Sequence, residues 1–138
     1  MEIGWLWFIL VSVLFSLVYG KIESGLDKFW TILGRDGGPF WGKLLFGTKW
    51  TPYHVALLVL DTIVCIPSLL FTHSISFFVA SVLIFPLLED AAYFWWLRKW
   101  IKPTDWTAKE GSVTIKGVTV PYWYFLLGAV IWILLWIS

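Results

Sequence analysis

The chain has 138 residues, of which 59% are hydrophobic and only 14% are charged. A soluble domain carries about 25% charged and ~45–50% apolar residues, and a chain of this length could not bury so much apolar surface within itself. These values exclude an ordinary soluble domain and a disordered chain. The net charge of +1 and the single cysteine exclude a basic nucleic-acid-binding surface and a disulfide scaffold. The composition therefore predicts an integral membrane protein.

Four segments are apolar enough and long enough to be transmembrane helices, which need about 20 apolar residues. In chain order they cover approximately residues 3–20, 53–71, 74–96 and 120–138. The first and the fourth contain no charged residue, whereas the second contains Asp61 and the third contains Glu89 and Asp90. We therefore expect an all-α fold, with residues 1–138 forming a single transmembrane domain built as a four-helix bundle.

The two longer connections between these spans are residues 21–52 and 97–119. In the first connection, apolar residues recur at helical spacing at Leu26, Phe29, Trp30 and Leu33. This pattern predicts an additional amphipathic helix lying at the membrane interface. In the second connection, apolar residues alternate over residues 112–120 around a Lys-Gly pair, which is typical of a small β-hairpin.

The basic residues predict the orientation of the chain in the membrane. All ten Lys and Arg residues lie in the connections 21–52 and 97–119, five in each, and the short turn after residue 71 and both tails contain none. Loops rich in Lys and Arg stay on the cytoplasmic side. Both connections are therefore predicted to be cytoplasmic and both termini to lie outside. Basic and non-basic segments thus alternate between the two sides of the membrane, as four spans require.

The acidic residues inside the spans are the strongest functional signal. A charged side chain in hydrocarbon is costly, and its default interpretation is functional. Asp61 lies eight residues into the second span, or roughly 12 Å deep, and Glu89 and Asp90 lie roughly 10 Å from the end of the third. Because a short turn makes these spans antiparallel, the three carboxylates are expected at one depth. They are the candidate catalytic residues.

Three further residues are candidates for the same site. His54 precedes Asp61 by seven residues and shares its helix face, so it could bind a divalent metal ion together with Asp61, Glu89 and Asp90. Tyr93, one turn after the acidic pair, and Arg98, at the end of the third span, are candidates for contacting a substrate. A structural alternative pairs Glu89 and Asp90 with Arg98 or a neighbouring Lys that reaches inward.

Three carboxylates at one depth allow three kinds of chemistry, because they cannot all be ionised together in a low dielectric. A divalent metal ion held by carboxylates, His54 and water is one solution. A protonated carboxyl group ready for general acid catalysis is the second. A relay of protons or cations is the third, and the sequence leaves all three open.

Residues 85–94 resemble one known family. The run Phe85-Pro86-Leu87-Leu88-Glu89-Asp90-Ala91-Ala92-Tyr93-Phe94 is similar to the proline–leucine–acidic pair–aromatic stretch of the small membrane lycopene cyclase domains. The resemblance implies proton-initiated cyclisation of a polyene, with acidic residues as proton donors and Asp61 as the aspartate of the preceding helix. The chain departs from that pattern by the extra Leu88 and by a short turn in place of a polar, aromatic loop.

Three functions follow from these patterns. The leading hypothesis is an enzyme that acts on a lipid or isoprenoid ligand entering from the inner leaflet. The second is a cation or proton transporter or channel, which would need a homo-oligomer because four spans are few. The third is a non-catalytic subunit of a membrane complex. The enzyme hypothesis predicts that Asp61 and Glu89 line a closed cavity. The transporter hypothesis predicts that they line a path through the membrane, and the subunit hypothesis that they lie on a partner surface. In each case the lipid bilayer is a partner, and no nucleic acid is expected.

Overall fold

The structure, a computed structural model, describes residues 2–25, 43–44, 48–49, 52–108 and 111–138. Most of these residues are helical. The helices are α1 (Glu2–Ile9), a π-helical segment (Leu10–Phe15), α2 (Ser16–Gly25), α3 (Pro52–Thr72), α4 (Ile75–Trp96), a short 3-10 helix (Trp106–Ala108) and α5 (Tyr122–Trp136). We call the continuous run from α1 through α2 the first helix. The predicted interfacial helix at residues 26–33 lies outside the described residues.

Within the described parts of the chain, three helical stretches are long and apolar enough to cross a membrane: Ile3–Gly25, Val55–Thr72 and Ile75–Trp96. This confirms the prediction of a membrane protein with transmembrane helices. The fourth predicted span is different, because α5 has only 15 residues. At 1.5 Å per residue it extends about 22 Å, which is less than the ~30 Å of a hydrocarbon core.

The first helix is longer than its apolar pattern predicts. The sequence places its end at Gly20, where Lys21 and Glu23 interrupt the apolar residues, but the helix continues to Gly25. The 21–52 connection therefore begins inside this helix, which is a correction to the predicted boundary. Because the helix continues, Glu23 is held on a regular helical surface and is buried there.

The first helix is antiparallel to α3 and parallel to α4. Gly4, near its start, approaches Thr72 at the end of α3, and the Trp7 Nε1 donates a hydrogen bond to the Val64 carbonyl at 3.4 Å. On the other side, the rings of Trp5 and Phe77 meet edge to face with centroids 4.9 Å apart. Aromatic contacts of this kind join the beginning of the first helix to the beginning of α4.

Helix α4 lies between the other helices, packing against the first helix, α3 and α5. Its contact with α5 is a buried apolar cluster of Ala80, Leu127 and Ile131. Its contact with the first helix is closest at Gly20, where an added Cβ would lie 2.8 Å from the Ala92 Cβ and 2.9 Å from the Tyr93 amide nitrogen. Only a residue without a side chain allows the two backbones to approach this closely.

Two antiparallel two-stranded hairpins interrupt the helical fold. Strands β1 (Lys43–Leu44) and β2 (Thr48–Lys49) form one, and β3 (Ser112–Ile115) and β4 (Val118–Pro121) form the other. Between β3 and β4, Lys116 and Gly117 both have positive φ angles, 51° and 84°, as a two-residue type I′ hairpin turn requires. The all-α prediction is therefore correct for most of the described chain and wrong for these two segments, of which the second was expected as a hairpin.

Replacing Gly20 with Ala is expected to lower the free energy of unfolding by about 1–3 kcal/mol. The new Cβ would collide with the backbone of α4, and no rotamer change can relieve that contact. Thermal unfolding of the purified protein in detergent measures the loss. The control is Gly128→Ala in α5, where nothing lies within 4 Å of the added Cβ and helix propensity predicts unchanged or slightly higher stability. Equal losses in both variants would contradict the close approach.

Candidate functional site

The centre of the site is the carboxylate of Asp90, in the last third of α4, which is 2% exposed. Its Oδ2 accepts a hydrogen bond from the Thr107 Oγ1 at 2.6 Å and another from the Tyr124 hydroxyl at 2.8 Å. A separation of 2.6 Å is typical of a hydroxyl donating to an ionised oxygen. The two donors belong to different segments, so Asp90 ties both α5 and the connection before it to α4.

Thr107 is itself held by the indole of Trp123. The Trp123 Nε1 donates to the Thr107 carbonyl at 3.0 Å and lies 3.2 Å from the Thr107 Oγ1. A threonine hydroxyl has one proton to donate and can accept two hydrogen bonds. Because an indole N–H can only donate, the hydroxyl proton of Thr107 remains available for the Asp90 carboxylate.

The connection after α4 is folded so that Thr107 reaches Asp90. Arg98 adopts a left-handed conformation with φ 51°, and the Lys99 amide bonds to the Phe94 carbonyl at 3.1 Å. This is the Schellman arrangement that ends a helix. A turn follows, in which the Asp105 carboxylate accepts from the Lys102 amide at 2.7 Å. The 3-10 helix that carries Thr107 begins directly after this turn.

Two more acidic residues surround the Asp90–Tyr124 pair. Glu23, from the first helix, and Glu89, from α4, are each 6% exposed. Glu23 lies close enough to Asp90 for the charges of the two carboxyl groups to interact. Glu89 lies close enough to Tyr124 for its charge to act on the tyrosine hydroxyl. We call Glu23, Glu89 and Asp90 the acidic cluster. It lies on two packed helices, and the hydrogen bond from Tyr124 connects it to a third, α5.

Asp61 lies near the middle of α3, on a different helix from the acidic cluster. It is 1% exposed, and its Oδ1 accepts a hydrogen bond from the Cys65 thiol at 3.5 Å, one turn along the same helix. Cys65 and Ser68 are buried on this face as the spacing predicts, and the Ser68 hydroxyl donates to the Cys65 carbonyl at 2.7 Å. The hydrogen bonding of Asp61 is thus local to α3, whereas that of Asp90 connects distant segments.

The structure describes only part of the predicted metal site. Among the side chains that the structure describes, no group of three or more His, Cys, Asp and Glu could hold a metal ion. The side chain of His54 lies outside the described residues, although its backbone is part of α3. A divalent metal ion held by His54, Asp61, Glu89 and Asp90 therefore gains no support from the described side chains and stays a prediction.

The two candidate substrate residues have different surroundings. Tyr93 is buried, and its ring meets that of Phe94 edge to face with centroids 5.4 Å apart. Arg98 is exposed beyond the end of α4, where its backbone terminates the helix. A ligand could reach Arg98 from the surface, but it could reach Tyr93 only if the packing around that ring opened.

Three residues of the site were missed at the level of sequence: Glu23, Thr107 and Tyr124. Glu23 was assigned to a loop because the apolar run stops at Gly20. Tyr124 lies in the most apolar helix. Its hydroxyl could have indicated a polar site, because a buried tyrosine hydroxyl usually has a hydrogen-bond partner. Nothing in the local pattern around Thr107 distinguishes it from other loop threonines.

No family model, curated protein or solved structure is significantly similar to this chain. The resemblance of residues 85–94 to lycopene cyclase domains therefore stays an expectation.

Replacing Tyr124 with Phe is expected to lower the free energy of unfolding by about 1–3 kcal/mol, because a buried charged acceptor loses one of its two donors. Thermal unfolding in detergent measures the change. The matched control is Tyr122→Phe in the same helix, since Tyr122 is 59% exposed and its hydroxyl should contribute little. If the two variants unfold at the same temperature, the bond to Asp90 is not a stabilising contact.

Proposed function

We propose that this chain is a membrane enzyme whose acidic cluster acts as a general acid on a lipid or isoprenoid substrate. The observation that carries the proposal is a buried carboxylate with two hydroxyl donors in the neighbourhood of two further buried acids. Asp90 accepts hydrogen bonds from Thr107 and Tyr124, and Glu23 and Glu89 are buried as well. Neighbouring carboxyl groups in a low dielectric cannot all be ionised, so such a cluster keeps a proton that it can donate.

The residues then have distinct roles. Asp90, held by Thr107 and Tyr124, carries the negative charge of the cluster, and its repulsion keeps a proton on the neighbouring glutamates until a substrate accepts it. Glu89 and Glu23 hold the proton that is donated to the polyene, and the resulting carbocation returns a proton to the carboxylate as the product forms. The resemblance of residues 85–94 to domains in which acids protonate a polyene points to the same chemistry.

The proposal includes a four-helix arrangement in the membrane with the cluster toward the cytoplasm. The helix directions support it: α3 is antiparallel to the first helix, and α5 is antiparallel to α4. The Tyr124–Asp90 bond joins the start of α5 to the end of α4. With all basic residues in the connections 21–52 and 97–119, the ends of the helices that carry the cluster face the cytoplasm, and the termini lie outside.

The test uses purified protein in lipid vesicles with a linear polyene, lycopene, in deuterated water. A general acid that exchanges with solvent would place deuterium in the recovered hydrocarbon, which mass spectrometry detects. Glu89→Gln is expected to reduce incorporation roughly 100-fold or more, the usual contribution of a general acid. Glu2→Gln, at the opposite end of the first helix from Glu23, serves as a control for loss of an acid elsewhere. Incorporation that is equal in wild type and Glu89→Gln would refute the assignment.

A second candidate function, an oligomeric proton or cation transporter, is favoured by the separate buried group Asp61–Cys65–Ser68 on α3. An enzyme based on the acidic cluster does not need this group, whereas a conduction path would need polar residues at several depths. Vesicles with a trapped pH dye distinguish the two functions. A proton leak that depends on the protein and is lost in Asp61→Asn would support transport. Metal analysis of the wild-type protein and of Asp61→Asn tests whether Asp61 helps to bind the predicted divalent metal ion.

A further inference from the structure

A groove runs along the surface between the first helix and α4. It encloses about 190 Å³. Its floor consists of the buried residues Ser16 and Ala92, and its walls are apolar side chains that are wholly or partly exposed. The wall residues are Val13, Leu17, Leu88, Ala91 and Trp95.

The shape of the groove follows from small residues on its floor. A serine and an alanine meet where two larger side chains would have filled the space, and Gly20 keeps the helices in contact one turn further along. Pockets for whole small-molecule ligands usually measure about 300–1,000 Å³. This groove is smaller and open along its length, so it fits one hydrocarbon chain lying between the helices.

The floor also carries an unsatisfied polar group. The Oγ of Ser16 is buried and has no hydrogen-bond partner among the residues that the structure describes, and the same is true of Ser12 one turn earlier. Serine hydroxyls in apolar helices normally bond to a backbone carbonyl of the preceding turn. A buried hydroxyl in an otherwise apolar groove is suited to a ligand that is mostly hydrocarbon but has an acceptor oxygen.

One end of the groove is cationic. Lys21 follows the wall residue Leu17 by four positions and therefore lies on the same helix face. Its Nζ is 4.5 Å from the centroid of the Trp96 ring, and the Trp96 Nε1 donates to the Leu17 carbonyl at 2.9 Å. The groove thus has a lysine at one end, at a tryptophan-rich level typical of the membrane interface.

We propose that this groove binds one acyl chain of an anionic phospholipid, with the phosphate held near Lys21. An apolar groove in a membrane-spanning segment selects hydrocarbon, and a cation at its interfacial end selects a negative headgroup. A neutral lipid would fill the groove but would not pair with the cation. The inference goes beyond the proposed enzymatic function, because it involves none of the acidic cluster and would hold if that function were wrong.

The experiment measures association of spin-labelled lipids with the protein in phosphatidylcholine vesicles. Electron paramagnetic resonance separates labelled lipid that is immobilised by the protein from free lipid. Wild type is expected to favour labelled phosphatidylglycerol over labelled phosphatidylcholine about fivefold, the effect of a single basic residue near the surface. Lys21→Gln is expected to bring this ratio close to one, and Lys116→Gln, at the hairpin turn, to leave it unchanged.

A second variant tests the groove itself. Ala91→Phe places a ring in the groove from an exposed position and is expected to reduce immobilised phosphatidylglycerol by one lipid per chain. Ala129→Phe, at an exposed position of α5, is the matched control and is expected to have no such effect. Thermal unfolding confirms that each variant is folded.

Three outcomes would overturn the proposal. The first is equal association of both labelled lipids with wild type. The second is equal lipid loss in Ala91→Phe and Ala129→Phe. The third is a wild-type dimer that Ala91→Phe dissociates without changing lipid association, because the groove would then be an interface with a second copy of the chain.

Discussion

The structure depends on one buried carboxylate whose hydrogen bonds are made by groups far away in the chain. Asp90 lies in a segment that is apolar enough to cross a membrane. In the hydrocarbon core of a membrane no water is available to form hydrogen bonds with an unsatisfied polar group. Its two donors, Thr107 and Tyr124, come from the connection and the helix that follow. Satisfying this one oxygen therefore determines where the connection folds and where α5 begins.

The second constraint is the close approach of the first helix to α4. In a bilayer, helices do not associate by excluding water, so small residues that allow close backbone packing carry much of the association. Gly20 is such a residue, and Glu23 follows it by about one turn. The same contact that joins the helices thus brings a second buried acid toward Asp90, so that packing and electrostatics cannot be altered independently at this level.

The sequence predicts some features of this fold well and others poorly, for physical reasons. Hydrocarbon thickness imposes length and apolarity on a span, so three membrane-length helices and the burial of Asp61, Glu89 and Asp90 could be anticipated. The end of the first helix could not, because Lys21 and Glu23 look like loop residues unless their neighbours are known. The bond from Tyr124 to Asp90 was also invisible, since periodicity identifies a helix face but not the helix that meets it.

The π-helical segment at Leu10–Phe15 gives the first helix an unusual property. A π-helical turn accommodates one more residue than an α-helical turn, and each residue of an α-helix advances the chain by about 100° around the axis. Every side chain after the segment is therefore rotated relative to where a continuous α-helix of the same sequence would place it. Loss of a single residue within the segment would restore a regular α-helical turn and leave Glu23 facing Asp90, whereas loss of a residue elsewhere in the helix would turn its second half by about 100°. The segment sets the rotational phase between the two ends of the helix.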